Sequence, residues 1–222
     1  MDSARFTSEF AERFTADTAQ LFDALLHELV KGEPVRPETL ARVLGWPVDR
    51  VTDTLGQSVS TEWDGNGSVV GHGLTLRETP HVFEVGGQRL YAWCAFDTLI
   101  FPALLNETAH VTSRCAVTGE PISLAVTPDA VQALAPPDAA MSLLPPQDMS
   151  DVRRTFCCHV HFFVSTAIGQ DWASGRAGFE IVGVHDAFGM GQELVRRIID
   201  ARQHVSVRAR GVISGVGDGV FR

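Results

Sequence analysis

In the first third of the chain, apolar residues recur at intervals of three and four. Leu21, Phe22, Leu25, Leu26, Leu29 and Val30 fall on one face of an amphipathic helix that opens near Asp17 and is stopped by Gly32 and Pro34. Residues 37–45 read as a short second helix with glycine at its end, and Pro47 opens a third through Val48, Val51 and Leu55. A short strand at 61–63, a turn at Asp64-Gly-Asn-Gly67 and Val69-Val70 follow. Three short helices on tight turns with a hairpin behind them predict a winged-helix-like part. Residues 1–16 show a mixed pattern and are expected to be a frayed lead-in.

Beyond this the period shortens toward two. Strands are expected at 74–77, 82–85 and 89–90, the last two joined by a Gly86-Gly87 turn. An apolar run over 93–101 predicts a helix, with Pro102 discouraging its continuation. Residues 110–115 and 122–126 form a predicted hairpin with Cys115 near its tip. Pro128 is expected to start a short helix through Val131 and Leu134, and 140–144 reads as a strand between proline-rich breaks. Alternation over 156–164 predicts a strand with Cys157, His159, His161 and Phe163 on one side and Cys158, Val160, Phe162 and Val164 on the other. A helix at 170–174, a strand at 179–184 and a helix from Asp186 to about Arg202 complete the pattern. The tail from Val205 reads as mobile or as an edge strand. The fold class expected is α+β: a helical, winged-helix-like part over 1–80, a core of short, mostly antiparallel strands with surrounding helices over 81–204, and a tail over 205–222.

Charge narrows the function. The chain carries a formal net charge of −9, and residues 1–80 hold seven basic against thirteen acidic side chains. A face that grips phosphates needs cations, so no nucleic-acid partner is expected and the helical part reads as a cover over the second half. There is no basic stretch followed by an apolar core at the start, and no apolar run of membrane-spanning length. A cytoplasmic location with reduced cysteines is the resulting expectation.

The chemistry concentrates in two places. Cys94 and Asp97 stand three residues apart in an apolar run with Trp93, Phe96, Leu99, Ile100 and Phe101. On a helix they would share one face, and a carboxylate there is costly to bury unpaired. The bland alternative is a small core cysteine beside an aspartate that caps a helix. The second place is Cys157-Cys158 with His159 and His161. Its residue types suit zinc, but structural zinc usually has two spaced pairs of ligands, and here Cys94 and Cys115 are isolated. A vicinal disulfide is the other reading, and a reducing compartment opposes it.

Four motifs in order carry a resemblance: Trp93-Cys-Ala-Phe-Asp-Thr-Leu-Ile-Phe-Pro-Ala-Leu, Cys-Ala-Val-Thr-Gly from Cys115, Phe156-Cys-Cys-His-Val-His-Phe-Phe, and Val184-His-Asp-Ala-Phe-Gly. Together they resemble the organomercurial lyases (alkylmercury lyases, the MerB family), closely over about 80–200 and more loosely over 1–79. The resemblance implies cleavage of carbon–mercury bonds to a hydrocarbon and Hg(II), with Cys94 and Cys157 as mercury-binding thiols and Asp97 as the proton shuttle. It implies that Cys115 is structural and that Cys158 is dispensable. No organic cofactor is implied. Reduced thiols are required, with an organomercurial as substrate, cellular thiols as helpers and a mercuric reductase as acceptor of Hg(II). Rival expectations are a metal-responsive winged-helix transcriptional regulator and a thiol–disulfide enzyme using Cys157-Cys158.

Overall fold

A computed structural model describes residues 3–11, 14–145 and 151–210. It begins with a helix where the sequence suggested a frayed lead-in: α1 (Ser3–Ala11) buries Phe6 and Phe10, spaced one helical turn apart. The helical part follows as expected with α2 (Ala16–Leu29), α3 (Pro37–Leu44) and α4 (Val48–Gly56). Thr15 caps α2 by accepting the Thr18 N–H, and α3 ends at Gly45 in the left-handed conformation that glycine adopts without strain.

The strands β1 (Glu62–Trp63), β2 (Val69–His72) and β3 (Leu74–Thr75) form the wing. They are not a separate hairpin. Leu74 pairs with Ala92 and Thr75 with Tyr91, joining β3 to β5 (Gln88–Ala92), which pairs in turn with β4 (His81–Val85). With β6 (Ala109–Arg114), β7 (Pro121–Val126) and β8 (Val131–Ala135), this gives one eight-stranded antiparallel sheet of order β1-β2-β3-β5-β4-β6-β7-β8. A second sheet, β10-β9-β11, is built from β9 (Ala140–Leu143), β10 (Phe162–Phe163) and β11 (Glu180–Gly183). The α+β reading holds.

Helices pack around these sheets: α5 (Asp97–Leu105), the short α6 (Val152–Thr155), α7 (Thr166–Ala173) and α8 (Val184–Arg210). The last packs against α1, α2 and α5. Gly191 permits its approach to α5, since a Cβ there would stand 2.8 Å from Ile100 Cγ2. Among the described residues no helix is long and apolar enough to cross a membrane.

Four further expectations are corrected. Helix α5 runs through Pro102 to Leu105, because the proline forfeits a single intrahelical bond and the buried Leu104 and Leu105 hold the chain helical until Asn106 turns left-handed. The segment after Pro128 is strand β8 and not a helix. The Thr127 hydroxyl accepts the Ala130 N–H at 2.9 Å and closes a turn that folds the chain back onto β7. Residues 156–164 are not a continuous strand: a 3-10 turn, Cys157–His159, follows α6, and only Phe162–Phe163 pair with β9. The buried Ser142 hydroxyl holds that turn, donating to the His159 carbonyl at 2.8 Å and accepting the His161 N–H at 3.0 Å. Finally, α8 continues past Val205 to Arg210, where a mobile or edge-strand tail was expected. The remainder of that tail, 211–222, lies outside the described residues.

Candidate active site

Cys94, Asp97 and Cys157 come together. One ligand atom from each lies within 4.8 Å of the others, and all three residues are buried. Among the described residues this is the one such grouping of cysteine, histidine or carboxylate. The expected helix over 93–101 is only half present. Cys94 sits in the loop after β5, and Asp97 is the first residue of α5. The two meet because the Asp97 carboxylate folds back, Oδ2 accepting the Cys94 N–H at 3.1 Å. The Cys157 thiol donates to the same oxygen at 3.9 Å across sixty residues of chain. The 3-10 turn that replaces the expected strand aims Cys157 inward and leaves Cys158 exposed.

Aromatic rings fix this turn. Phe156 packs against Phe6, Phe10 and Phe96 with ring centroids 4.9 to 6.1 Å apart. Arg153 of α6 pairs with Glu62 and lies 4.9 Å from the Trp93 ring, tying the turn to the residue before Cys94. The site opens on an apolar cavity of about 350 Å³, within the range of small-molecule pockets. Phe22 and Leu25 of α2, Leu55 of α4, Ile100 of α5 and Leu194 of α8 are among its walls, and Asp97 and Cys157 face it. Cys94 is fully buried behind them.

The electrostatics follow from this enclosure. Burial pushes the Asp97 carboxyl from its ordinary 3.8 up to about 7, against hydrogen bonds from Cys94 and Cys157 that favour the anion. Burial also pushes the Cys94 thiol well up, helped by its hydrogen bond to Cys157 and the charge of Asp97. At Cys157 the hydrogen bond with Cys94 favours the thiolate, but burial and the Asp97 charge outweigh it and raise the thiol. Near neutral pH the two thiols therefore keep their protons, while the Asp97 carboxyl is poised to exchange its own.

His159 and His161 stay apart from this chemistry. His159 packs on Phe179 and His161 on Trp172, with centroids 5.9 and 5.7 Å apart, so the Cys-Cys-His-x-His stretch assembles no zinc site. Cys115 is buried at its hairpin, accepting the Thr118 N–H at 3.5 Å, away from the cluster. Sequence reasoning missed Phe10 and His72 as wall residues. Phe6 and Phe10 carried a readable signal, a spacing of four; His72 carried none.

Comparison with known proteins gives the chain a family. The family model described as alkylmercury lyase matches residues 74–196, and the helix-turn-helix domain of alkylmercury lyase matches residues 6–73. An alkylmercury lyase from Pseudomonas putida is 47% identical over 205 residues, 90% of this chain and 97% of its own length. The chain belongs to the alkylmercury lyase family. Alkylmercury lyases from Staphylococcus epidermidis and Bacillus cereus are 43% and 45% identical, covering 88% and 82% of this chain and 90% and 84% of their own lengths. The crystal structure of the mercury-bound form of MerB2 matches with a TM-score of 0.75 at 23% identity, over 89% of this chain and 98% of that one, and is alike in fold. Membership in a lyase family over nearly the whole length disfavours the rival expectation of a transcriptional regulator.

Proposed function

We infer that the protein is a carbon–mercury lyase that protonates the carbon of an organomercurial, releases the hydrocarbon and retains Hg(II) on the thiolates of Cys94 and Cys157. The observation that carries this reading is the convergence of two buried thiols, which keep their protons near neutral pH, with one buried carboxyl poised to take up or give a proton there.

Mercury is soft and prefers thiolate sulfur to oxygen or imidazole, so two cysteines suffice where zinc takes four ligands. Cys157 faces the cavity and meets the substrate first; Cys94 lies behind it. Coordination acidifies a thiol far more than the protein alone does. The proton that Cys157 loses has an acceptor at the Asp97 Oδ2 toward which it already points. An aspartate near 3.9 is too weak a base for this exchange. One held at about 7 both takes the thiol proton and returns it. With both sulfurs on mercury, electron density moves onto the metal–carbon bond and the carbon becomes basic. Asp97 then delivers its proton, the carbon–mercury bond breaks, and the site is left with S–Hg–S. Overall R–Hg⁺ and two thiols give R–H, the bis-thiolate of Hg(II) and one proton. Positioned proton transfer contributes about 10²–10⁴ in rate, and the fixed alignment of metal, carbon and acid supplies more.

Both thiols must be reduced, which fits a cytoplasmic setting where cellular thiols deliver the substrate and a mercuric reductase receives Hg(II). Residues 1–80 serve the core over 81–204 as wall and cover, since α2 and α4 supply cavity residues. The test is to incubate the reduced protein with phenylmercury and measure benzene by gas chromatography. Benzene above a protein-free thiol control is expected, together with Hg(II) retained on the protein. Asp97→Asn should bind mercury and release no benzene beyond that control. Parental turnover in that variant would remove Asp97 from the mechanism.

A further inference from the structure

Among the described residues two buried side-chain polar atoms have no hydrogen-bond partner, the Trp93 Nε1 and the Ser58 Oγ. Both residues border the reaction cavity. Leaving such groups unpaired is costly, and folded proteins pair nearly all of them. The other hydroxyls on the cavity wall, those of Thr18 and Thr54, donate to the Thr15 and Arg50 carbonyls at 3.1 and 2.7 Å.

His72 of β2 borders the same cavity and adds a third free group. Its Nδ1 lies 3.2 Å from the Thr61 Oγ1, which also lies 3.2 Å from the Leu55 carbonyl. A hydroxyl has one hydrogen to give, and a carbonyl can only accept. Both contacts are satisfied when Thr61 donates to Leu55 and accepts from the His72 Nδ1–H. Burial keeps the ring neutral by pushing its pKa down to about 4. The Nε2 is thus a bare acceptor, and no donor among the described residues meets it. Thr61 also ties these groups together. Its N–H donates to the Ser58 carbonyl at 3.2 Å, and His72 packs on the Trp93 ring with centroids 5.7 Å apart. Trp93 directly precedes Cys94, and Asp97 faces the same cavity, so the polar spot and the reacting cluster share one chamber.

We propose that Trp93, Ser58 and His72 form a hydroxyl-binding subsite of this cavity, selecting organomercurials whose organic group carries a hydroxyl. The proposal rests on the lyase reading for the mercury end of the molecule. The indole N–H donates to the hydroxyl oxygen, the hydroxyl proton goes to the His72 Nε2, and Ser58 can give or take a further bond. An ether has no proton for Nε2. A carboxylate has none either, and would bury a second acid beside Asp97. An unsubstituted ring leaves all three groups unpaired, and a site built to bond a hydroxyl discriminates against the analogue lacking it for that reason.

The test reads binding apart from cleavage. The reduced, mercury-free protein is titrated calorimetrically with phenol, anisole and benzene. In a purely apolar cavity phenol would bind more weakly than benzene, because its hydroxyl is stripped of water and left unpaired. Here phenol should bind about tenfold or more tightly than benzene, and anisole should fall behind phenol. His72→Phe keeps a ring and removes the acceptor, whereas Ser58→Ala removes only a hydroxyl. Both should shrink the ratio of phenol to benzene affinity, His72→Phe to one or less. In turnover, His72→Phe should lower kcat/KM for 4-hydroxyphenylmercury relative to phenylmercury by about tenfold against the parent, a comparison in which the electronic effect of the substituent cancels. If neither compound were cleaved, the lyase reading would fall, while the binding ratio would still decide for or against the subsite. Binding of phenol no tighter than benzene in the parent, or a parental ratio in either variant, would overturn the proposal.

Discussion

Replacing Asp97 with asparagine tests the physical basis of the site apart from its turnover. The carboxyl sits at about 7 instead of 3.8 because its anion is desolvated. The folded state therefore holds a proton that the unfolded chain releases between those two values. The stability associated with this group is fully present below pH 3.8 and is lost as pH rises through about 7. At about 1.4 kcal/mol per pH unit, the loss amounts to about 4 kcal/mol. Asparagine keeps an oxygen able to accept the Cys94 N–H and has nothing to titrate. The stability of Asp97→Asn minus that of the parent should therefore rise by about that amount between pH 4 and pH 8. Urea denaturation at intervals across the range measures it. Every other ionisable group is common to both proteins and cancels in the difference. Parallel curves for variant and parent would refute the claim that burial holds the proton, and with it the account of how Asp97 exchanges protons with a thiol.

Other perturbations probe the packing. Gly191→Ala places a methyl group 2.8 Å from Ile100 Cγ2 and should lower stability by about 1–3 kcal/mol, less the roughly 1 kcal/mol that alanine gains over glycine in a helix; a raised denaturation midpoint would contradict the close approach of α8 to α5. Phe156→Ala should cost about 3–5 kcal/mol. By admitting water it should also lower the Asp97 pKa, shifting that limb of the pH–rate profile to more acidic values. His72 and His81 are pushed down to about 4 by burial, so the stability they contribute is present above pH 6.5 and lost as pH falls toward 4. His81→Asn, whose amide stands where the ring Nδ1 meets the Ser113 hydroxyl, should flatten that acid limb in denaturation measurements.

The three site residues were legible because each departs from its surroundings: a thiol and a carboxylate within an apolar run, and a cysteine pair beside alternating aromatic residues. Their meeting was not legible from pattern. Contacts between segments sixty residues apart leave no local period, and only the family resemblance joined Cys94 to Cys157. The helix–turn–helix part and most strands followed from periodicity and turn residues. Two of the errors share a cause: one side-chain hydrogen bond outweighed a local preference. The Thr127 hydroxyl closed a turn where Pro128 suggested a helix start, and the Ser142 hydroxyl captured the backbone of 159–161 where alternation suggested a strand. Helix α1 escaped notice because nine residues offer a single pair of aromatic residues, too little to set a period.

The main-chain bonds between β3 and β5 have a consequence for traffic. Helices from the first third of the chain form one side of the chamber, Trp93, Phe96 and Ile100 just after β5 form part of another, and the β3–β5 pairing ties these two sides into one sheet. A clam-shell motion would have to tear strands apart. Between these sides the frame stays still, so what the chamber accepts is set by the size and greasiness of the side chains that line it, the Phe10 ring of the short first helix among them.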